Sequence, residues 1–294
     1  MSAPQNLDSR VLQAHPLPRI GAGTDKDTRG RVLLIAGSAS SPGAALLAGE
    51  AALRGGAGKV VLATARSIAL ALGAAAPEFG LISLAQTADG EPDANDRGVD
   101  GGAEHCDALL LGPGLMNKEN TRQLALRILK TAPVPLVLDA AAITALHDHF
   151  DSVRAGNQAR ILTPHAGEMA SLMGVSKDEV ERSPQAMALT GARALDSILV
   201  LKGAVTYIAT PGGNLWKNTG GASGLATAGS GDTLAGLIAA LLARGAAPLH
   251  ACLWGVFIHA QAGARLSQEV GRLGFLAREL PRQFPPLLQQ YDAQ

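Results

Sequence analysis

The sequence contains few aromatic residues, few cysteines and no excess of charge of either sign. Of its 294 residues, 3% are aromatic and two are cysteine, and 25 Lys and Arg residues balance 25 Asp and Glu residues. Because the charges balance and no basic run is present, we do not expect a protein that binds nucleic acid through its phosphates. The two cysteines, Cys106 and Cys252, form no CxxC motif, so we expect reduced thiols and a cytoplasmic location.

Long hydrophobic runs are also absent. The longest covers residues 237–243, whereas a membrane-spanning helix needs about 20 apolar residues. The first 20 residues carry charged side chains and three prolines and lack the apolar core of a signal peptide. An apolar share of 47% is too high for a disordered chain, and the 35 glycines have no period of three, which excludes collagen. We therefore expect a globular protein that buries most of its surface.

Short apolar runs alternate with longer segments of helical periodicity. The runs predict strands over residues 32–36, 59–64, 108–111, 136–139, 160–163 and 198–201, and a hairpin formed by residues 205–209 and 214–217. The longer segments predict helices over residues 44–54, 67–75, 117–130, 233–244 and 249–269. This alternation predicts an α/β fold with a mostly parallel central sheet and helices on both faces. We expect an N-terminal arm (1–25) followed by a single domain (26–294).

One long polar segment covers residues 86–104. It is similar to a calcium-binding loop, since Asp93, Asn95, Gly98 and Glu104 occupy ligand or turn positions of that pattern. At the fifth position, however, Arg97 stands where such a loop requires an oxygen ligand. We therefore interpret the segment as a solvated surface loop.

Five of the predicted strands end in a loop rich in glycine or polar side chains. These loops contain residues 37–44, 112–114, 139, 163–168 and 202–203. The carboxyl ends of parallel strands lie at one edge of a sheet, where ligands bind in α/β proteins. A single Gly-Pro-Gly is usually an ordinary turn, but the five loops together predict a binding site at that edge.

The segment with the most specific signal covers residues 220–232, GGASGLATAGSGD, and leads into the helix predicted from residue 233. Glycines allow backbone N–H groups to face a ligand, and a helix N-terminus adds free N–H donors and a positive dipole. The pattern therefore predicts an anion hole for a phosphate, formed by Gly229, Ser230 and Gly231. Asp232 has two interpretations: the N-cap of the helix, or a carboxylate that accepts a proton from a substrate hydroxyl.

Six segments resemble, in order and spacing, the ADP/ATP-dependent NAD(P)H-hydrate dehydratases, a branch of the ribokinase-like fold. They are GRVLLIAGSASSPGAALLAGEAALRGGAGKVVLAT, LLLGPGL, PLVLDA, TPHAGE, LVLKGAVT and GLATAGSGDTLAGL, within residues 26–264. The resemblance implies a ribokinase-like three-layer sandwich and a dehydratase without the epimerase domain that is fused to some relatives. It further implies a separate epimerase as functional partner and a homo-oligomer of four or more subunits.

The resemblance also implies an activity. Hydrated NADH or NADPH carries a hydroxyl group at C6 of the nicotinamide ring. The enzyme phosphorylates this hydroxyl of the (6S) form from ADP or ATP, and phosphate then leaves, which restores the cofactor and releases AMP or ADP as the second product. Mg²⁺ is implied as the ion that neutralises the polyphosphate, with no side chain identified as its direct ligand. Phosphoryl transfer depends on positioning and electrostatic stabilisation, which an anion hole provides.

The matching motifs also imply site residues. Asp232 is implied as the catalytic base and as a contact of the hydrate, and Gly231 as part of both the anion hole and the nucleotide site. Further contacts with the hydrate are implied for Ala44, Gly114 and His165. Contacts with the adenine nucleotide are implied for Lys202, Gly203, Ala204, Val205 and Thr206. Accessory roles are implied for Asp139, Glu168 and Asn218.

Three positions, in two segments, depart from the family pattern. Ala141 stands where a second acidic residue usually follows Asp139, and Ala222-Ser223 replaces an Asn-Pro pair. Two other functions therefore remain in view: a ribokinase-like kinase of a vitamin or sugar, which would also use Asp232, and a non-catalytic nucleotide sensor. The low aromatic content predicts that adenine and nicotinamide are held by backbone, aliphatic side chains and phosphate contacts more than by stacked rings.

Overall fold

Within residues 3–19, 21 and 23–292, which the computed structural model describes, ten strands form a single sheet. The strands are β1 (Gln5–Asn6), β2 (Arg31–Ile35), β3 (Lys59–Ala65), β4 (Phe79–Leu84), β5 (Ala108–Leu111), β6 (Leu136–Leu138), β7 (Arg160–Leu162), β8 (Ile198–Leu201), β9 (Thr206–Ala209) and β10 (Leu215–Asn218). Their order across the sheet is β1-β10-β9-β8-β7-β6-β5-β2-β3-β4. Neighbouring strands are parallel except that β9 is antiparallel to β8 and β10, which confirms the mostly parallel sheet.

The same residues contain thirteen α-helices. They are α1 (Ser9–Ala14), α2 (Gly43–Arg54), α3 (Arg66–Ala75), α4 (Gly98–Glu104), α5 (Lys118–Thr131), α6 (Ala141–Thr144), α7 (Phe150–Arg154), α8 (Ala166–Met173), α9 (Lys177–Arg182), α10 (Pro184–Leu195), α11 (Ser230–Ala243), α12 (Pro248–Glu269) and α13 (Leu280–Asp292). Short 3₁₀ helices lie at Ser223–Leu225 and Ala277–Glu279. None of the described helices is long and apolar enough to cross a membrane.

Alternate residues of the central strands enter two separate hydrophobic cores. Val32 and Leu34 of β2 pack with α2, α11 and α12, whereas Leu33 and Ile35 pack on the opposite face with α5 and α10. A strand that buries both sets of side chains must be apolar at every position, which explains the continuous apolar runs in the sequence. Helices on both faces of one sheet make the fold a three-layer α/β sandwich, as predicted.

Small residues bring α2 and α11 into close contact. A Cβ atom at Gly236 of α11 would lie 2.1 Å from the backbone oxygen of Ala48 in α2, so only glycine permits this approach. Ala48 and the neighbouring Ala45 and Ala51 are fully buried in the same interface. The contact fixes the position of α11, whose first turn forms part of the site described below.

The N-terminal segment packs onto the domain. β1 pairs with β10 at the edge of the sheet, Leu12 of α1 is buried, and Trp254 Nε1 donates a 2.8 Å hydrogen bond to the backbone oxygen of His15. Residues 1, 2, 20 and 22 of the expected arm and residues 293–294 of the expected domain lie outside the described residues. The boundary at residue 26 stays a prediction.

The chain changes direction across the sheet between β2 and β5. From β2 it proceeds to β3 and β4 on one side, and β5 to β8 follow in order on the other side. The loops after β2 (36–42) and after β5 (112–117) meet there, since the Gly37 N–H donates a 2.8 Å hydrogen bond to the oxygen of Pro113. In open parallel sheets, ligands bind beyond the carboxyl ends of the strands at such a switch point.

Two expectations from the sequence are wrong. The helix α11 begins at Ser230 instead of residue 233, because Gly229 adopts a left-handed conformation (φ 87°) that turns the chain into the helix earlier. Asp232 therefore lies in the first helical turn and is not the N-cap. The segment 86–104 is not a solvated loop, since Glu91 is buried and residues Gly98–Glu104 form α4.

Candidate active site

A cavity of about 780 Å³ lies beyond the carboxyl ends of β6, β7 and β8, beside the first turn of α11. Most of the residues that the sequence analysis selected line it: Asp139, His165, Glu168, Lys202, Gly203, Ala204, Thr206, Asn218, Gly229, Ser230, Gly231 and Asp232. These residues come from positions almost 100 apart in the chain, and the parallel topology brings them to one edge of the sheet. The structure therefore brings this group together at one cavity, and their role as a binding site stays a prediction.

Three of the selected residues do not line the cavity. Val205 is partly buried and packs against the core that contains α5 and α10. Ala44 and Gly114 lie against each other at the switch point, where a Cβ atom on Gly114 would be 2.9 Å from Ala44 Cβ and 2.6 Å from the Ser41 backbone oxygen. The loop of Gly114 also touches the cavity wall, because a Cβ atom on Gly112 would be 1.9 Å from the Asp139 backbone oxygen.

The first turn of α11 presents backbone donors to the cavity. Gly229 occupies the N-cap position, and because it has no side chain, no side-chain group caps the helix. Ser230, Gly231 and Asp232 form the beginning of the helix. The first N–H groups of an α-helix have no partner within the helix, and they carry the positive end of its dipole. This geometry suits the binding of a phosphate.

A buried histidine supports this turn from behind. His259 of α12 places Nε2 3.0 Å from the backbone oxygen of Ser230, and 3.3 Å from the hydroxyl oxygens of Ser230 and Thr233. Because a carbonyl oxygen only accepts hydrogen bonds, Nε2 carries the hydrogen and donates it to Ser230. Burial lowers the pKa of His259 to about 4, so the ring is neutral at pH 7. This role could not be predicted from the sequence, since a lone histidine in an apolar helix shows no motif.

Lys202 lies among carboxylates at the floor of the cavity. Its Nζ atom is 2.8 Å from Asp139 Oδ1 and 3.8 Å from Glu168 Oε2. Thr163 donates a second, 2.6 Å hydrogen bond to Asp139 Oδ1. Burial alone would lower the pKa of Lys202, but the charges of Asp139 and Glu168 raise it above its ordinary value. The lysine is therefore a fixed positive charge at pH 7.

Asp232 faces the same cluster across the cavity. A Cβ atom on the preceding Gly231 would be 3.0 Å from Lys202 Nζ, which places the ammonium group directly under the first turn of α11. Burial is the largest cause that raises the pKa of Asp232 to about 7; the charges of Asp139 and Glu168 contribute to this rise, and Lys202 opposes it. A carboxylate with a pKa near neutrality is suited to general-base catalysis.

The TPHAGE segment (163–168) fixes the start of α8. The N–H groups of Gly167 and Glu168 donate hydrogen bonds of 3.0 and 3.2 Å to His165 Nδ1, and Glu168 Oε2 accepts one of 2.8 Å from the His165 N–H. This reciprocal capping box requires a spacing of three residues between His165 and Glu168. Burial raises the pKa of Glu168, and the charge of Lys202 opposes that rise.

Asn218 anchors the glycine-rich segment to the fold. Its Oδ1 atom accepts a 2.9 Å hydrogen bond from the Gly220 N–H, and its Nδ2 donates a 3.3 Å hydrogen bond to the Val256 oxygen. The chain then passes Ala222 and Ser223, two of the positions that depart from the family pattern, and both line the cavity. The third, Ala141, is the first residue of α6.

Comparison with known proteins gives one consistent result. A family model described as NAD(P)H-hydrate dehydratase matches residues 32–286. The ADP-dependent (S)-NAD(P)H-hydrate dehydratase of Xanthomonas campestris is 46% identical over 285 residues, which cover 97% of this chain and 96% of that protein. The bifunctional NAD(P)H-hydrate repair enzyme Nnr of Moorella thermoacetica is 36% identical over 99% of this chain, which spans only 56% of that longer protein.

The structural comparison agrees. The ADP/ATP-dependent NAD(P)H-hydrate dehydratase of Bacillus subtilis, co-crystallised with ATP and Mg²⁺, superposes with a TM-score of 0.85 at 31% identity, covering 98% of this chain and 99% of that one. The ribokinase-like architecture that the resemblance implies is thereby confirmed. By sequence and by fold over its full length, the chain belongs to the NAD(P)H-hydrate dehydratase family.

Proposed function

We propose that the protein dehydrates (6S)-NAD(P)H hydrate to NAD(P)H, with ADP or ATP as the phosphoryl donor. The observation that carries this proposal is the position of Asp232: a carboxylate with a pKa of about 7 beside the N-terminal turn of α11, in a cavity that also holds the charge of Lys202. A base next to an anion-binding turn is the arrangement that phosphoryl transfer to a hydroxyl group requires. Relatives over the full length of the chain carry the same activity in their names.

In the proposed reaction, Asp232 accepts the proton of the C6 hydroxyl as its oxygen attacks the terminal phosphorus of the nucleotide. The bond between that phosphorus and the bridging oxygen breaks, and AMP or ADP leaves. The anion hole of Gly229, Ser230 and Gly231 holds the transferred phosphate through the N–H groups of Gly229 and Gly231, because the Ser230 N–H donates a 3.2 Å hydrogen bond to the Thr227 oxygen. Lys202 offsets the negative charge of the phosphate. Phosphate then leaves C6 together with a proton from the neighbouring ring carbon, which restores the double bond of the cofactor.

Mg²⁺ fits the site as an ion carried by the nucleotide. Among the residues that the structure describes, no three His, Cys, Asp or Glu side chains form a group that could hold a metal ion. The cavity instead holds three carboxylates and one ammonium group, so negative charge is in excess when a polyphosphate enters. When bound, Mg²⁺ supplies charge neutralisation at the phosphate oxygens, and we assign no side chain as its direct ligand.

The two substrates are proposed to occupy adjacent parts of one site. Lys202, Gly203, Ala204 and Thr206 line the same cavity as Gly231, which supports a nucleotide bound beside this group. The hydrate is assigned to the side of the switch point, with Ala44, Gly114 and His165 as contacts. Asp232 lies where the two parts meet. Val205 contributes through its backbone, since its side chain faces the core.

We further propose a cytoplasmic homo-oligomer of four or more subunits that works with a separate NAD(P)H-hydrate epimerase. Cys106 and Cys252 are buried free thiols, which agrees with a reducing compartment. A partner that interconverts the two epimers would let this enzyme act on the whole pool of hydrate.

Recovery of NADH absorbance tests the proposal. Purified protein is incubated with (6S)-NADH hydrate, Mg²⁺ and either ADP or ATP, and the absorbance of NADH should return with AMP or ADP and phosphate as products. Asp232→Asn should reduce turnover by at least a factor of about 1,000 while the nucleotide still binds, since the base is lost and the turn remains.

Three results would contradict this proposal. Phosphorylation of a vitamin or sugar alcohol without recovery of NADH would identify a kinase. Full activity of the Asp232→Asn variant would remove Asp232 from the role of base. Nucleotide binding without any turnover in the wild-type protein would identify a sensor.

A further inference from the structure

The polar segment that was expected to be a solvated loop lies across the switch point instead. Residues 87–94, here called the clamp segment, follow β4 and reach both loops that meet there. Two adjacent residues in its middle make these contacts. The oxygen of Gly90 accepts a 2.9 Å hydrogen bond from the Ala39 N–H in the loop after β2. Glu91 Oε1 accepts hydrogen bonds of 2.5 and 2.6 Å from the N–H groups of Met116 and Asn117 in the loop after β5.

The clamp segment is well fixed. Asp89 Oδ2 accepts a 2.8 Å hydrogen bond from Asn117 Nδ2. Asn120 of α5 accepts a hydrogen bond from the Ala94 N–H at 3.0 Å and donates one of 2.9 Å to the oxygen of Pro92. Gly90 is closely packed, since a Cβ atom there would lie 2.5 Å from Ala39 Cβ. The two loops of the switch point are therefore tied to each other through residues 87–94.

The carboxylate of Glu91 is unusual for a purely structural contact. The residue is 2% exposed, and within the described part of the chain its Oε2 atom is buried without a hydrogen-bond partner. Burial of a charge with an unpartnered oxygen opposes folding. A glutamine could accept the same two N–H groups through its Oε1 without a buried charge, although its NH2 group would then occupy the buried position without a partner. The carboxylate does, however, make both hydrogen bonds charge-assisted and therefore stiffer.

We infer that Glu91 is a positioning residue for the hydrate: through Met116 and Asn117 it sets the loop after β5 against the loop after β2, and so shapes the acceptor side of the site. This inference rests on the proposed function, because it places the hydrate at the switch point. The nucleotide side of the site lies around β8 and α11 and makes none of the described hydrogen bonds to Glu91. The two substrates should therefore respond differently when Glu91 is changed.

Steady-state kinetics of Glu91→Gln test this inference. The KM for the hydrate should rise roughly tenfold, since two charge-assisted hydrogen bonds become neutral ones. The KM for ADP and kcat should stay within about twofold of the wild-type values. Glu104→Gln is the matched control, because Glu104 belongs to the same polar segment but is exposed at the end of α4.

A purely structural role predicts another pattern. If Glu91 only stabilises the start of α5, Glu91→Gln would lower the thermal midpoint or the active fraction and leave both KM values unchanged, and that result would overturn the inference. Should Glu91→Gln fail to fold, Gly90→Ala tests the contact of the clamp segment with Ala39, where the new Cβ would meet the Ala39 side chain and φ is +75°. The KM for the hydrate should again rise while the KM for ADP stays unchanged. A KM for the hydrate equal to the wild-type value would count against the inference.

Amide hydrogen exchange separates failure of the inference from failure of the proposed function. In the ligand-free protein, Glu91→Gln should accelerate exchange at Met116 and Asn117 and at Ala39 across the switch point, while Glu104→Gln should not. Unchanged exchange at Ala39 would refute the clamp even if the enzyme repairs NADH hydrate. If Glu91→Gln accelerates exchange at Ala39 but the wild-type protein does not repair NADH hydrate, the role of the clamp segment stands and the proposed function is refuted.

Discussion

The pH dependence of turnover tests the charge cluster around Asp232. Burial, together with the charges of Asp139 and Glu168, raises the pKa of Asp232 to about 7 against the opposing charge of Lys202. A general base acts only when deprotonated, so kcat/KM for the hydrate should rise with pH through this pKa and then level off. At pH 6 about a tenth of the molecules carry a charged Asp232, so the rate should be roughly tenfold below its plateau.

Lys202→Met should move this profile to higher pH. The ammonium group of Lys202 lies under the turn that carries Asp232, and an opposite charge at about 4–6 Å lowers the pKa of a carboxyl by roughly 1–3 units. Three carboxylates share this one charge and the cavity admits water, so we take the lower end of that range. The midpoint should then move to about 8, and at pH 7 the share of charged Asp232 should fall about fivefold.

The midpoint is the quantity to measure, because it does not depend on the height of the plateau. Loss of Lys202 should also weaken the contact with phosphate, which lowers the plateau without moving the midpoint. Absorbance recovery between pH 5.5 and 9 at saturating ADP gives both quantities. Lys59→Met is the control, since Lys59 pairs with Asp27 at the surface. A midpoint for Lys202→Met equal to or below that of the wild type would refute the electrostatic reasoning.

Two further predictions concern stability. The pKa of Asp232 is raised in the folded protein, so ionisation of this carboxyl opposes folding. This destabilisation is complete above about pH 7 and absent below about pH 4. Asp232→Asn should therefore increase the free energy of unfolding by about 2 kcal/mol at pH 8 and leave it unchanged at pH 4. Urea titrations at both pH values measure this, and an equal gain at both would contradict it. Gly236→Ala should lower the free energy of unfolding by about 1–3 kcal/mol, because its Cβ would meet the backbone of Ala48. Gly43→Ala is the control, because no atom lies near its new Cβ, and it should lower the free energy of unfolding far less. Equal decreases in the two variants would argue against the tight contact between Gly236 and Ala48.

The sequence was most informative where strands are buried on both faces. β2, β5 and β8 are apolar at nearly every position and end at loops of distinct composition, so their positions could be predicted to within a residue or two. β4 was missed because it is an edge strand that contains Gly80 and exposes Leu81. The helix α13 was missed because it contains Pro285 and Pro286, which normally indicate the end of a helix.

The features of the site also differ in how well the sequence predicts them. Gly229, Ser230, Gly231 and Asp232 are contiguous, so a local motif was enough to place them together. The ion pair of Lys202 joins residues 63 positions apart, and Glu91 contacts residues 25 and 26 positions away. Neither contact shows a local signal in the sequence, because each depends on which strands become neighbours in the sheet. A polar segment such as 86–104 is especially misleading, since its hydrogen bonds are made within the protein and not with water.

The scarcity of aromatic residues bears directly on how this site binds. Among the described residues that line the cavity there is no Phe, Tyr or Trp, so adenine has no such ring on which to stack. In the proposed arrangement, adenine is surrounded by backbone and small side chains such as Gly203 and Ala204. Lys202 and the first turn of α11, which carry the positive charge, would lie at the phosphate end. Negative charge is redistributed there during phosphoryl transfer, so interactions at this end stabilise the transition state more than the bound nucleotide. A weak adenine site and a strong phosphate site together favour turnover over tight binding.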